Sequence, residues 1–193
     1  MPRRTRFNIK NGVYHVYSRG AGRRYIFLND QLKSAFIFLL QITAVRYQFI
    51  VHSFCVMGNH YHILLTTPKG NLSEGMKYLN SKYAILFNKY RCKDGPVFKG
   101  RFKSMYVYND RYIMNLTRYI HLNPVEAGVV VHPHQYIWSS YLDYVSEYSR
   151  FLWLNKDIVR EMGYSDYEQY VNKGNNEKIV EIFSKNSLPS ILK

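Results

Sequence analysis

Tyr47-Gln-Phe-Ile-Val-His-Ser-Phe-Cys-Val56 followed by Met57-Gly58-Asn59-His60-Tyr61-His62-Ile63-Leu64-Leu65 is the stretch on which the fold turns. The first run is apolar on both faces, as a strand buried on two sides must be. Gly58-Asn59 is a turn signal, so the second run folds back on the first as a hairpin. Strand side chains alternate with period 2, which puts His60 and His62 on one face and Tyr61 and Ile63 on the other. Two imidazoles on one strand face can reach one divalent metal ion, but a catalytic site needs a further ligand and open positions. A lone His-X-His fits equally well a buried core histidine beside an exposed one. No Cys-X-X-Cys, His-Glu-X-X-His or acidic cluster elsewhere in the chain competes for a metal.

On the N-terminal side of this hairpin, Val13 to Ser18 reads as a strand ended by Arg19-Gly20-Ala21-Gly22. Asn29-Asp30 then caps a helix whose apolar stripe is Leu32, Phe36, Leu39, Leu40 and Thr43. On the C-terminal side, Leu72, Met76, Leu79, Tyr83, Leu86 and Tyr90 alternate at spacings of four and three. They make an amphipathic helix that Asp94-Gly95-Pro96 breaks. Val97 to Tyr108 reads as the last strand, and Asn109-Asp110 caps a helix through Leu122. The order β-α-β-β-α-β plus a helix predicts an α+β fold, a ferredoxin-like antiparallel sheet with helices packed against it. Residues 1–145 are expected to form this domain with a basic N-terminal arm. Residues 146–193 are expected to form a helical C-terminal extension with turns at Gly163 and Gly174.

The formal charge of +14 is unevenly spread. Residues 1–120 carry 20 Lys/Arg against 4 Asp/Glu, and residues 121–193 carry 7 against 9. A polyanion-binding surface therefore belongs to the first part, and a generically basic soluble surface is the plainer alternative. Arg4, Arg6, Arg19, Arg23 and Arg24 make a basic arm and turn suited to phosphates. Period 2 along the last strand would align Lys99, Arg101 and Lys103 as a ladder following a phosphate backbone, or as a charged edge that blocks aggregation. Nineteen tyrosines among these cations also suit stacking on single-stranded bases. No apolar run is long enough to span a bilayer, and no secretory signal is read, so a cytoplasmic protein with Cys55 and Cys92 reduced is expected.

Arg111-Tyr-Ile-Met-Asn-Leu-Thr-Arg-Tyr-Ile-His-Leu-Asn123-Pro124 carries the second half of the chemistry. Ile113, Leu116 and Ile120 form its core stripe, and Tyr119 and Asn123, four apart, share a neighbouring face. A tyrosine beside a metal can attack a phosphodiester, and the amide oxygen of Asn123 can serve as third ligand. Asn123-Pro-Val-Glu126 also reads as an N-cap, an N1 proline and a capping-box glutamate opening a new short helix.

Taken together, these elements resemble the REP-associated tyrosine transposases of the HUH single-tyrosine superfamily. The resemblance rests on Met57-Gly-Asn-His-Tyr-His62, Tyr119-Ile-His-Leu-Asn-Pro-Val-Glu-Ala-Gly128 and Trp138-Ser-Ser-Tyr141. Tyr14-His-Val16, Arg19-Gly20 and Val97-Phe-Lys-Gly-Arg-Phe102 fit the same pattern, so that it covers roughly residues 7–145. Tyr61 departs from the plainly hydrophobic central residue of that motif. The resemblance implies a ferredoxin-like domain, commonly a homodimer, acting on single-stranded or hairpin DNA with no nucleotide cofactor. It implies a Mg²⁺- or Mn²⁺-dependent nick leaving a 5′-phosphotyrosine and a free 3′-hydroxyl. His60, His62 and Asn123 would hold the metal and Tyr119 would be the nucleophile. A hairpin-binding regulator derived from a transposase, without cleavage, is the alternative. A relaxase or replication initiator would need a longer chain or a second, closely spaced nucleophilic tyrosine.

Overall fold

A computed structural model describes residues 8–157 and 166–173. Four strands form one sheet: β1 (Gly12–Arg19), β2 (Ile50–Val56), β3 (His60–Thr67) and β4 (Lys103–Val107). Their order is β2-β3-β1-β4, and every neighbouring pair is antiparallel. Helix α1 (Asp30–Tyr47) links β1 to β2 and α2 (Leu72–Arg91) links β3 to β4, each crossing over one intervening strand. This is the split βαβ arrangement expected. Helix α3 (Asp110–Glu126) follows β4, and short helices α4 (Tyr141–Val145) and α5 (Tyr167–Lys173) come after it.

The sheet separates two apolar cores. On one side Tyr14, Val16, Tyr61, Ile63 and Leu65 meet Leu32, Phe36 and Leu40 of α1 and Leu72, Met76, Leu79 and Tyr83 of α2. On the other, Cys55, Met57, Leu64 and Val107 meet Ile113, Leu116 and Ile120 of α3. Asn29 caps α1 by accepting from the Leu32 N–H at 3.0 Å. The α2 stripe departs from the expected one at its end. Phe87 is buried, whereas Tyr90 is exposed and its hydroxyl accepts from Asn29 Nδ2 at 2.8 Å.

Two readings of the sequence are corrected. Residues 97–102 are not strand; β4 begins only at Lys103. Val97, Phe98 and Phe102 are all buried in the core of α1 and α2, a spacing that period 2 cannot produce. Gly100, at φ +76°, turns the chain between them. Lys99, Arg101 and Lys103 therefore form no strand ladder. Helix α3 also runs through Pro124 instead of ending at Leu122, so Asn123 is an interior helical residue and not a cap. Gly128, at φ +64°, with its N–H donating to the Val125 carbonyl at 2.9 Å, turns the chain just past the helix.

Residues 146–157 pack onto the body. Trp153 stacks on Phe54 with ring centroids 5.8 Å apart, and the Asn155 N–H donates to the Val51 carbonyl at 2.9 Å. Buried Asp143 accepts from Arg150 Nη2 at 2.9 Å and from the backbone N–H groups of Arg150 and Phe151. Arg4, Arg6, Gly163 and Gly174 lie outside the described residues. No helix among the described residues is long and apolar enough to cross a membrane.

Among the described residues, β2 carries an irregularity between Val51 and Ser53, where His52 bonds Thr66 Oγ1 at 2.8 Å. Burial pushes the His52 imidazole down to about 4. A folded-state value below the unfolded one makes this contribution complete above about pH 6.5 and lost as pH falls toward 4. Denaturant midpoints measured across that window should drop. In His52→Gln the drop should be shallower, by up to about 1.4 kcal/mol per pH unit. An unchanged slope would show that His52 is not a source of the acid sensitivity.

Candidate active site

The register of β3 decides which way the histidines face. Tyr61 is wholly buried in the core of α1 and α2, with its ring 4.7 Å from that of Phe36 and its hydroxyl donating to Asn80 Oδ1 at 2.8 Å. His60 and His62 consequently face the side covered by α3, with ring centroids 5.2 Å apart. Opposite them on β1, Arg19 pairs with His60 and Tyr17 pairs with His62.

Helix α3 lays its Ile113, Leu116 and Ile120 stripe on this face, which brings its adjoining face over the histidines. The Tyr119 ring lies edge-on to His62 at 5.6 Å between centroids. Asn123 donates from Nδ2 to the Tyr119 carbonyl at 2.8 Å, and its amide bears on the ionisation of both His60 and Tyr119. The four residues singled out from the sequence thus lie in one cluster, His62 and Asn123 buried, His60 and Tyr119 partly open.

Three further residues of this face were given no site role in the sequence reading. His15 Nε2 sits 2.8 Å from His62 Nδ1. Tyr17 stacks on both rings, and Asn59 Oδ1 lies 2.6 Å from His60 Nδ1. His15 stands on the same strand face as Tyr17, but only the order of strands puts that face beside β3.

Burial drives the electrostatics. It pushes His15 down to about 3 and His62 well below the ordinary imidazole value, where His15 and His60 reinforce it. His60 is lowered chiefly by burial, with the Asn123 hydrogen bond opposing and the Arg19 charge reinforcing the shift. All three imidazoles are therefore neutral at pH 7, the state that donates a lone pair to a metal. Burial raises the Tyr119 phenol, the Asn123 hydrogen bond works against that, and Glu126 and Tyr17 add to it.

The donor set fits a divalent cation. Asn59 occupies Nδ1 of His60 and His15 occupies Nδ1 of His62, so Nε2 is the nitrogen that each ring could offer a metal. Asn123 adds an amide side chain. Two nitrogens and one oxygen suit Mn²⁺ readily and Mg²⁺ less so. Among the described residues no group of three His, Cys, Asp or Glu side chains offers another metal site.

Of the cations, Arg19 is exposed beside His60, and Lys103 places Nζ 5.9 Å from the Tyr17 ring. The Lys99 N–H donates to the Arg19 carbonyl at 2.8 Å, which holds the exposed loop of Lys99 and Arg101 at the end of β1. Arg23 is exposed and its carbonyl accepts from Asn59 Nδ2, whereas the Arg24 guanidinium donates to the Pro96 carbonyl.

The chain is similar to proteins already known. Residues 8–123 match the family described as "Transposase IS200 like". The chain belongs to that family. A Haemophilus influenzae protein whose name places it among the REP-associated tyrosine transposases is 25% identical over 143 residues, spanning 68% of this chain and 81% of that one. A solved REP-associated tyrosine transposase bound to a REP hairpin superposes with a TM-score of 0.60 at 21% identity, covering 73% of this chain and 83% of that chain. That second likeness is one of fold, and it includes the antiparallel sheet with packed helices.

Removing the Arg19 charge in this transposase should raise the His60 titration point, because that charge adds to the lowering that burial chiefly causes. Histidine NMR titration of Arg19→Ala checks this, and no movement or a fall would contradict the contact.

Proposed function

We propose that this IS200-like transposase nicks and rejoins single-stranded or hairpin DNA, with Tyr119 as nucleophile and His60, His62 and Asn123 as ligands of Mg²⁺ or Mn²⁺. The observation that carries the reading is the meeting of α3 with β3: Tyr119 lies edge-on to His62 while Asn123, bonded to the Tyr119 carbonyl, bears on the ionisation of both His60 and Tyr119. Hairpin DNA as substrate is supported by the fold shared with a transposase solved on a REP hairpin.

In the proposed reaction the Tyr119 phenolic oxygen attacks phosphorus, forming one P–O bond while the bond to the 3′-oxygen breaks. The phenol gives up its proton and the departing oxygen takes one up. A free 3′-hydroxyl and a 5′-phosphotyrosine result. A bound metal would supply Lewis-acid stabilisation of charge on the phosphoryl oxygens. Asn123 lowers the cost of ionising a phenol that burial has raised. Because the phosphotyrosine ester keeps the energy of the broken bond, an incoming 3′-hydroxyl can reverse the step without a nucleotide cofactor. Arg19, Arg23, Lys99, Arg101 and Lys103 supply phosphate contacts that position the strand without reading its sequence. A homodimer belongs to the proposal, and sedimentation of the full chain with and without hairpin tests it.

Wild type incubated with hairpin oligonucleotides and Mn²⁺ or Mg²⁺ should form a protein–DNA adduct that survives denaturant. Tyr119→Phe should form none yet keep hairpin affinity, and His60→Ala, His62→Ala or Asn123→Ala should slow adduct formation by roughly a hundredfold or more. A wild type inert on a broad hairpin panel with either metal, or an adduct persisting in Tyr119→Phe, would sink the proposal.

The cations make a separate prediction. Arg19→Ala and Lys103→Ala should each weaken binding evenly across sequences and lower the slope of log K against log salt by about 1. Titrations at several salt concentrations measure it, and unaltered slopes would remove these residues from the interface.

A further inference from the structure

His15 has no part in the nucleophile or ligand set above, yet it is 1% exposed and set directly behind one proposed ligand. Its Nε2 is 2.8 Å from His62 Nδ1, with the two rings 14° from parallel and 5.1 Å apart. Tyr17 stacks on both imidazoles, at 5.3 Å from His15 and 5.7 Å from His62. Tyr119 stands edge-on to both. The pair is thus flanked by the rings of Tyr17 and Tyr119.

One proton lies between two nitrogens at hydrogen-bond distance, and its owner decides what His62 presents to the site. If His62 keeps it on Nδ1 and His15 Nε2 accepts, His62 Nε2 carries a lone pair. If His15 donates instead, His62 Nε2 bears a proton and cannot ligate. The ring nitrogen that binds a metal is set by the hydrogen bond made by the other.

We propose that His15 is a positioning residue, which accepts the His62 Nδ1 proton and so fixes both the tautomer and the rotation of that ring with Nε2 facing the site. The inference rests on the reading of His62 as a metal ligand. His15 is not itself a ligand, since its Nε2 is taken up by His62 Nδ1 and no group of three His, Cys, Asp or Glu side chains that could hold a metal exists among the described residues. An apolar residue at position 15 would fill the same space and leave His62 Nδ1 without this acceptor. Free imidazole favours the proton on Nε2, so the ligating lone pair would be lost from much of the population.

Two measurements on the full chain test it. Long-range ¹H–¹⁵N correlation of histidine-labelled, metal-free wild type should show both His62 and His15 protonated on Nδ1. Mn²⁺ binding followed by electron paramagnetic resonance should weaken 10- to 100-fold in His15→Phe. His15→Gln, whose amide oxygen can stand near the Nε2 position, should recover most of that loss. Hairpin affinity in the presence of chelator should not change in either variant. A His62 protonated on Nε2 in wild type would overturn the inference, as would wild-type Mn²⁺ affinity in His15→Phe or a His15→Gln as weak as His15→Phe. Should wild type bind no Mn²⁺ up to millimolar concentration, the metal reading fails by itself, and the tautomer of His62 still decides the role of His15. That spectrum also carries the test if His15→Phe does not fold.

Discussion

In the antiparallel ladder between β1 and β3, Tyr14 pairs with Leu65, Val16 with Ile63 and Tyr17 with His62. Each pair points to one side of the sheet, so the two central strands send large apolar rings and chains one way and imidazoles the other. A slip of one residue in either strand would turn its whole set over. His60 and His62 would enter the core of α1 and α2, and Tyr61 and Ile63, both fully buried there, would lose their packing. Full burial of one such side chain contributes about 1.5–3 kcal/mol, so the register is strongly held and the site inherits that precision.

The second constraint is the rotation of α3 about its own axis. Ile113, Leu116 and Ile120 anchor one stripe to the sheet, while His121 anchors an adjoining face. His121 bonds the Tyr167 hydroxyl at 2.8 Å through Nδ1 and Ser140 Oγ at 2.7 Å through Nε2. Ser140 Oγ in turn accepts from the Phe54 N–H at 2.9 Å, which ties the helix to β2. Held on both faces, α3 has one orientation in which Tyr119 and Asn123 overlie the histidines. The Trp138-Ser-Ser-Tyr141 segment thus serves as a brace for the site and not as part of it.

Charge and burial act in opposite senses across a short distance. The chain carries +14, and Arg19, Arg23 and Lys103 stand around the mouth of the site. The imidazoles behind them are held neutral chiefly by burial, to which His15 and His60 add at His62. A cationic rim and an interior of neutral lone pairs and a protonated phenol suit the proposed reaction, in which the polyanion would bring the negative charge.

Much of this was legible along the chain because it depends on local period and turn chemistry. The hairpin at Gly58-Asn59, the shared face of His60 and His62, and the stripe of α3 with Tyr119 and Asn123 beside it all follow from spacing. Where local rules competed, they misled. Val97 to Phe102 alternates like a strand, but burial of Val97, Phe98 and Phe102 together in a distant core broke the alternation. Asn123-Pro124 has the chemistry of a helix start, yet packing of α3 carried the helix through it. His15 showed no local sign of its place, since its partner is 47 residues away. The sequence by itself determined which side chains share a face, because that depends only on backbone periodicity. The tertiary structure alone decided which faces meet, because strand order and helix rotation are set by burial summed over residues far apart in the chain.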